Sequence, residues 1–166
     1  MDIIDGVLQA NEAYARSFKE GTLPAPPARR LAVVTCMDAR IDVEPMLGLQ
    51  VGDAHIIRNA GGIVTGDILR SLIISHHLLG TRAFLIIQHT DCGMLTFTNN
   101  ELRERLHQQT GTMAETPKHF HTFRDLETSI REQVRTVKAH PWLPDDLPVR
   151  GFIYDVISGR LQEIAA

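Results

Sequence analysis

The sequence contains very little cysteine: only Cys36 and Cys92 occur among its 166 residues. Two cysteines cannot build the disulfide framework that is typical of a small secreted protein. In a reducing compartment, catalysis, metal binding or simple burial explains such residues better than a disulfide between them. The residues that surround the two cysteines must therefore decide among these three roles.

Long apolar runs and long basic runs are also missing. No apolar run approaches the roughly 18 residues that a membrane-spanning helix needs, and Asp2 and Asp5 stand where a signal peptide carries basic residues. The 17 Lys and Arg residues are outnumbered by 20 Asp and Glu residues, and no basic run is longer than Arg29-Arg30. We therefore expect a cytoplasmic protein with no membrane partner and no nucleic-acid partner.

Length and composition predict a single domain over residues 1–166. With 166 residues, 43% of them hydrophobic, the chain is long enough for one domain with a core and too short for two. Residues 1–28 form a predicted N-terminal helical arm, because apolar side chains recur at helical spacing over 3–18 and the proline-containing stretch GTLPAPPARR follows as an extended connector. The helix could pack on a second subunit or on its own chain, and the sequence leaves both open.

Short apolar segments alternate with a helical segment in the central part of the chain. LAVVTC (31–36), AHIIRN (54–59) and AFLIIQ (83–88) lack polar alternation, which is typical of strands buried on both faces of a parallel sheet. Residues 67–80 read as an apolar-rich helix that ends at Gly80. This order predicts right-handed crossovers, with a site beyond the carboxyl ends of the strands.

The C-terminal third is less regular. Residues 99–109 and 120–139 are predicted to be helical and mostly solvated, PWLPDDLP is predicted to be a loop, and residues 149–164 read as a terminal hairpin around Ser158-Gly159. The predicted fold class is therefore α/β, with a mostly parallel β-sheet flanked by helices, an N-terminal helical arm and a C-terminal hairpin.

Two of the predicted strands end in residues that can bind a metal. Cys36 ends the first, and His89 and Cys92 follow the third. If these strands are neighbours, which lie about 4 to 5 Å apart, the three side chains converge on one point. Zinc fits this set, because it takes thiolate and imidazole ligands together, and three protein ligands leave one position for water in a catalytic site.

The two cysteines allow other interpretations. Either cysteine alone is compatible with a small buried hydrophobe at a strand end. A cysteine phosphatase needs an arginine six positions after its cysteine, where this sequence has Asp42 and Thr98. A catalytic dyad of Cys36 with His89 leaves Cys92 without a role.

Three motifs occur together in this part of the chain: Cys36-x-Asp38-x-Arg40, the loop Arg58-Asn59-Ala60-Gly61-Gly62, and His89-x-x-Cys92-Gly93. In combination they resemble the β-class carbonic anhydrases of the compact bacterial and archaeal type. The resemblance covers residues 31 to 98 in order and spacing. It implies reversible hydration of carbon dioxide to bicarbonate and a proton, with Zn²⁺ as the cofactor, and a homodimer, or an oligomer of dimers, that assembles through N-terminal helices.

The resemblance also implies roles for the residues of these motifs. Cys36, His89 and Cys92 would be the zinc ligands, and Asp38 with Arg40 would be the catalytic pair beside the metal. Two thiolates cancel the charge of the zinc, so its bound water should be less acidic than at a three-histidine site, and a free carboxylate would bind the zinc or raise that pKa further. Arg40 would restrain Asp38 for this reason. The substrate pocket is expected to include Asn59, Ala60, Gly61, Gly62 and Gly93.

The motifs leave several points open. Related enzymes of this fold hydrolyse carbonyl sulfide or carbon disulfide with the same zinc ligands, and a non-catalytic zinc-binding module would need Asp38 as a permanent fourth ligand. The two glycines of the loop could also form an ordinary tight turn. His55, His76 and His77 are candidates for a proton shuttle only by residue type.

Overall fold

The protein is built around one five-stranded sheet, seen in a computed structural model that describes residues 2–166. Residue 1 of the predicted arm lies outside the described residues. The strand order is β2-β1-β3-β4-β5; the first four strands are parallel and β5 is antiparallel to β4. The strands are β1 (Leu31–Cys36), β2 (Ala54–Asn59), β3 (Ala83–His89), β4 (Val149–Tyr154) and β5 (Leu161–Ile164).

Within residues 2–166, five α-helices and one short 3₁₀ helix (Gly93–Leu95) accompany the sheet. The α-helices are α1 (Ile3–Ser17), α2 (Val43–Leu47), α3 (Gly66–Leu79), α4 (Asn99–Thr110) and α5 (Leu126–Lys138). Helix α3 begins where the Thr65 hydroxyl accepts the amide of Ile68 and ends at Gly80, whose left-handed φ of 75° favours glycine. The predicted fold class, the three central strands and the terminal hairpin are confirmed, while α2, which includes Pro45, was not predicted.

Helix α5 corrects the prediction of a mostly solvated helix over 120–139. The helix begins only at Leu126, because the Asp125 carboxylate accepts the amide of Thr128 as an N-cap. Its apolar residues Ile130, Val134 and Val137 are fully buried. Their spacing of four and three residues places them on one face of the helix, which packs on the sheet.

Strand β2 also differs from its prediction. Strand β2 lies at the edge of the sheet. As far as residues 2–166 show, none of its six residues is buried, whereas five of the six residues of β1 are buried. An apolar sequence therefore did not distinguish the edge strand from the central strands. The prediction of burial on both faces is wrong for β2 within a single chain.

The core has two parts, one on each face of the sheet. The larger cluster includes Leu72 of α3, Phe84 of β3 and the buried face of α5. The smaller cluster includes Ile41 and Ile87 and also contains both cysteines. The second face of the sheet therefore holds both cysteine side chains in packed apolar surroundings.

Gly151 of β4 allows the close contact between β4 and α5. A Cβ atom at this position would overlap the Cγ2 methyl of Ile130 and would lie 3.0 Å from Cγ2 of Val134. We predict that Gly151→Ala lowers the free energy of unfolding by about 1–3 kcal/mol, the usual cost of overpacking a core. Urea unfolding measures this, with Gly66→Ala as the control because a Cβ there meets no atom within 4 Å. Equal stability of both variants would contradict the prediction.

Helix α1 forms as predicted, but none of its residues is buried among residues 2–166. Its apolar side chains remain exposed, including Ile4 at 68% and Leu8 at 59%. The Asp2 side chain caps its first turn. Within the described residues, no helix combines the length and the apolar character that crossing a membrane requires.

Candidate metal centre

The order of the sheet brings the three candidate metal ligands to one edge. Strands β1 and β3 are parallel neighbours, so their carboxyl ends, with Cys36 and His89, lie side by side, and Cys92 follows three residues later. The two sulfur atoms and a ring nitrogen of His89 all lie within 4.8 Å of one another. All three residues are buried. The first and third strands are therefore neighbours, which is the condition on which the predicted convergence of the three side chains depended.

The imidazole of His89 is oriented for metal binding. Its Nδ1 lies 2.8 Å from the carbonyl oxygen of Thr90, which can only accept, so Nδ1 donates and Nε2 carries the lone pair. Within residues 2–166, Nε2 is buried and has no hydrogen-bond partner. An unpaired buried nitrogen is costly in an apolar core. A bound metal ion would satisfy it, with the backbone carbonyl fixing the ring from behind.

The pKa values of the two thiols are shifted in opposite directions. The pKa of Cys36 is lowered, mainly by the hydrogen bond from Cys92, although burial acts in the opposite direction. His89 and backbone amides lower this pKa further, and one of these amides is that of Gly61, whose nitrogen lies 3.3 Å from Sγ of Cys36. The pKa of Cys92 is raised, because it donates to Cys36 and is buried. Metal binding must displace the proton of Cys92, so metal affinity should rise with pH.

The pKa of His89 is shifted by the same surroundings. Burial lowers this pKa, but the nearby negative charge of Cys36 and the Thr90 carbonyl, which accepts from the ring, outweigh burial, and the net shift is upward. A pair of sulfur atoms with one imidazole is a donor set that suits zinc. The residues present therefore fit the ion that the sequence predicts.

Asp38 and Arg40 lie together beside this cluster. Arg40 donates from Nε to Oδ1 of Asp38 at 3.0 Å and from Nη2 to Oδ2 at 2.8 Å. Oδ2 of Asp38 lies 3.7 Å from Nε2 of His89. The side-chain and backbone hydrogen bonds of Arg40 hold the pKa of Asp38 well below its usual range, so the carboxylate is ionised at neutral pH.

Arg58 supports the loop that carries this pair, a role that was not predicted from the sequence. Its guanidinium donates to the carbonyl oxygens of Cys36 at 2.9 Å, Asp38 at 2.7 Å and Ile41 at 3.1 Å. One planar cation thus fixes three backbone groups of the loop. Its place at the end of β2, next to β1, was the only signal in the sequence.

The loop after β2 contributes to the site by its backbone shape and by its place in the pocket wall. The side-chain amide of Asn59 forms hydrogen bonds with both backbone groups of Ile63. Gly62 has a φ of 61°, and a Cβ there would lie 2.9 Å from the carbonyl oxygen of Ile87, so the close approach of the backbone requires glycine at this position. Ala60 and Gly61 line a pocket.

The pocket has a volume of about 480 Å³ and opens over the ligand cluster. Gly93 lines it with Ala60 and Gly61, as do the cluster residues and Asp38. Its wall also contains apolar side chains that no sequence motif indicated: Met37, Ala39, Met94 and Phe97. A small, weakly polar molecule fits such a wall better than a charged one.

Three histidines considered for proton transfer make their contacts elsewhere. His55 pairs with Ala32 near the start of β1, and its Nδ1 lies 2.7 Å from the hydroxyl of Ser75. His76 and His77 bond the carbonyl oxygens of Thr81 and Trp142. None of the three is among the residues described as lining the pocket.

The fold and the donor set define an α/β metalloprotein whose ligands come from neighbouring strand ends, and comparison with known proteins identifies the family. The family model described as carbonic anhydrase matches residues 31–161. The β-carbonic anhydrase 1 of Mycobacterium tuberculosis is 43% identical over 165 residues, which span 99% of each chain. The chain belongs to the β-carbonic anhydrase family, whose members use zinc and are lyases.

Two further relatives are a carbonic anhydrase of known structure and a carbon disulfide hydrolase. The crystal structure of carbonic anhydrase from Streptococcus mutans superposes with a TM-score of 0.93, at 45% identity and 99% coverage of both chains. A carbon disulfide hydrolase from an Acidianus species is 34% identical, with 98% of this chain and 89% of that protein covered. The same fold therefore occurs in proteins named for two different substrates.

Proposed function

We propose that the protein catalyses the reversible hydration of carbon dioxide to bicarbonate and a proton. The observation that carries this proposal is the Cys36–His89–Cys92 cluster with an ionised Asp38 held beside it by Arg40. The three cluster residues would hold Zn²⁺. A zinc ion bound there acts as a Lewis acid and makes water a nucleophile near neutral pH.

Asp38 would orient the reacting water. Both of its oxygens accept hydrogen bonds from Arg40, and Oδ2 still lies 3.7 Å from Nε2 of His89. The carboxylate thus lies beside the ligand cluster as a hydrogen-bond acceptor, and its pairing with Arg40 would restrain it from binding the metal. The ionised Asp38 can accept a hydrogen bond from that water and so direct its lone pair toward the carbon atom.

The pocket would select the substrate by its polarity. Carbon dioxide is linear and has no net charge, and the apolar wall of Met37, Ala39 and Phe97 offers it contact without competing hydrogen bonds. The product bicarbonate is charged and fits this wall poorly, which favours its release. Gly61 and Gly93 let the backbone form part of the wall without occupying the volume of a side chain.

Hydrolysis of carbon disulfide or carbonyl sulfide is the second candidate, supported by the likeness to the carbon disulfide hydrolase. Stopped-flow hydration of carbon dioxide and release of sulfide from carbon disulfide and carbonyl sulfide, measured on the same zinc-loaded sample, separate the candidates. We expect hydration to dominate. Faster sulfide release would assign the second function, and failure of all three assays would favour a non-catalytic zinc module.

We also propose that the protein is a homodimer, or an oligomer of dimers, in the cytoplasm. The support is the exposed apolar face of α1, which a second copy would cover. The two free cysteines and the donor set they belong to suit a reducing compartment.

We predict that Leu8→Glu in the full chain dissociates this assembly. The substitution places a charge on the exposed apolar face of α1, whereas Gln9→Glu adds the same charge at a polar position of the same helix and serves as the control. Sedimentation velocity should show the control at a multiple of the 18.5 kDa chain and the variant at one chain mass. An unchanged assembly in Leu8→Glu would exclude this face as the interface.

A further inference from the structure

Asp91 makes a contact that was not predicted from the sequence and that has no role in the proposed mechanism. It stands between His89 and Cys92 on the loop that follows β3. Its carboxylate oxygen Oδ2 accepts from Nη1 of Arg40 at 2.7 Å, and its backbone carbonyl accepts from Nη2 of Arg40 at 3.2 Å. One residue of the ligand loop therefore binds the guanidinium of Arg40 twice.

The backbone of Asp91 is adapted to this contact. Its φ of 56° lies in the left-handed region, which few residues other than glycine, asparagine and aspartate adopt readily. This conformation lies within the short turn that returns the chain from His89 to Cys92. The same turn thus brings two metal ligands together and presents a carboxylate to Arg40.

The contact with Asp91 gives Arg40 a fixed position relative to the ligand loop. Arg40 and Asp38 are two residues apart, so their pairing alone is local and does not place Asp38 relative to His89. The contact between Arg40 and Asp91 spans 51 residues and joins the loop after β1 to the ligand loop after β3. Arg40 is thereby held between two carboxylates, one on each loop.

We propose that Asp91 is a positioning residue: it anchors Arg40 to the ligand loop and so keeps the carboxylate of Asp38 out of the open coordination position of the metal. The inference rests on the proposed metal site but not on the identity of the substrate. Without Asp91, the paired Asp38 and Arg40 can shift together toward the ligands, since Oδ2 is only 3.7 Å from Nε2 of His89.

The pair contributes little to stability, which makes the proposal testable without unfolding the protein. The side chains of Arg40 and Asp91 are 48% and 77% exposed, and ion pairs this exposed add little to folding. Asp91→Asn keeps the size of the side chain and tolerates the left-handed backbone while removing the charge. Asp67→Asn is the matched control, because Asp67 is 73% exposed and pairs with Arg70 at 2.9 Å on α3, outside the pocket lining.

The experiment measures access to the open coordination position directly. Each full-length protein is loaded with Co²⁺, and its visible spectrum is titrated with sodium azide, a small anion that binds only where a position is open. We expect the azide dissociation constant to rise about tenfold in Asp91→Asn, the lower end of the range for residues that support a metal site. Asp67→Asn should bind azide like the parent.

Combining Asp91→Asn with Asp38→Asn tests whether Asp91 acts through the carboxylate of Asp38. In the Asp38→Asn background, Asp91→Asn should cause no further change, because the competing carboxylate is gone. An unchanged azide constant in Asp91→Asn, or an equal rise in the Asp38→Asn background, would overturn the proposal. Asp91→Gly, which relieves the left-handed backbone and also lacks the carboxylate, must reproduce the rise, and its failure to do so would overturn the proposal as well.

The result is independent of the assay for turnover. If the parent binds Co²⁺ and azide but hydrates no carbon dioxide, the proposed function fails while the role of Asp91 is still decided by the titration. If the parent takes up no Co²⁺, the proposed metal site and the role of Asp91 fall together.

Discussion

Replacement of both Cys36 and Cys92 by alanine is expected to abolish zinc binding and, with it, all measurable activity. Only one donor of the cluster, His89, would remain, and a single imidazole cannot retain zinc against dilution. Each lost ligand is expected to reduce zinc affinity by a factor on the order of a hundred or more. Elemental analysis of the purified variant, after dialysis against zinc-free buffer, measures the loss.

The control is His107→Ala, because His107 lies exposed on α4 and outside the cluster. It should retain one zinc per chain, as the parent should. Thermal unfolding establishes that the cysteine variant is folded, since the larger core cluster contains neither cysteine. Full zinc retention in that variant, or a parent that cannot be loaded with zinc, would refute the assignment of the ligands.

Local sequence was sufficient to predict the elements that carry the ligands. β1 and β2 have the bounds predicted, because each is a short apolar run between turn-forming residues, and β3 is longer by one residue, His89. The donor cluster followed from one assumption, that the first and third strands are neighbours, which the sheet order confirms. Strand ends are rigid, so residue types at such ends are informative about a site.

Contacts between distant parts of the chain were not predictable in this way. The buried face of α5 depends on Gly151, which follows the helix by more than ten residues and has no side chain to form a pattern. The contact of Asp91 with Arg40 and the three hydrogen bonds of Arg58 join loops on different strands. Nothing in the periodicity of the sequence distinguishes these charged residues from solvated ones.

Arg40→Ala is expected to leave zinc bound while reducing hydration activity by a factor on the order of a hundred. The substitution removes two hydrogen bonds that hold the carboxylate of Asp38 at Oδ1 and Oδ2. Because that carboxylate is ionised and lies 3.7 Å from Nε2 of His89, it is then free to compete with water for the metal. Zinc retention follows from the same argument, since the released carboxylate adds a donor and the three cluster residues are unchanged.

Arg70→Ala is the matched control, because Arg70 also pairs with an aspartate, Asp67, at 2.9 Å but lies on α3 outside the pocket lining. Stopped-flow hydration rates and zinc content are measured on the same samples. Unchanged activity in Arg40→Ala would remove the pair of Asp38 and Arg40 from the mechanism. Loss of zinc together with activity would show instead that Arg40 supports the structure of the metal site. Loss of activity with zinc retained, while Arg70→Ala behaves like the parent, is the result that restraint of Asp38 by Arg40 requires.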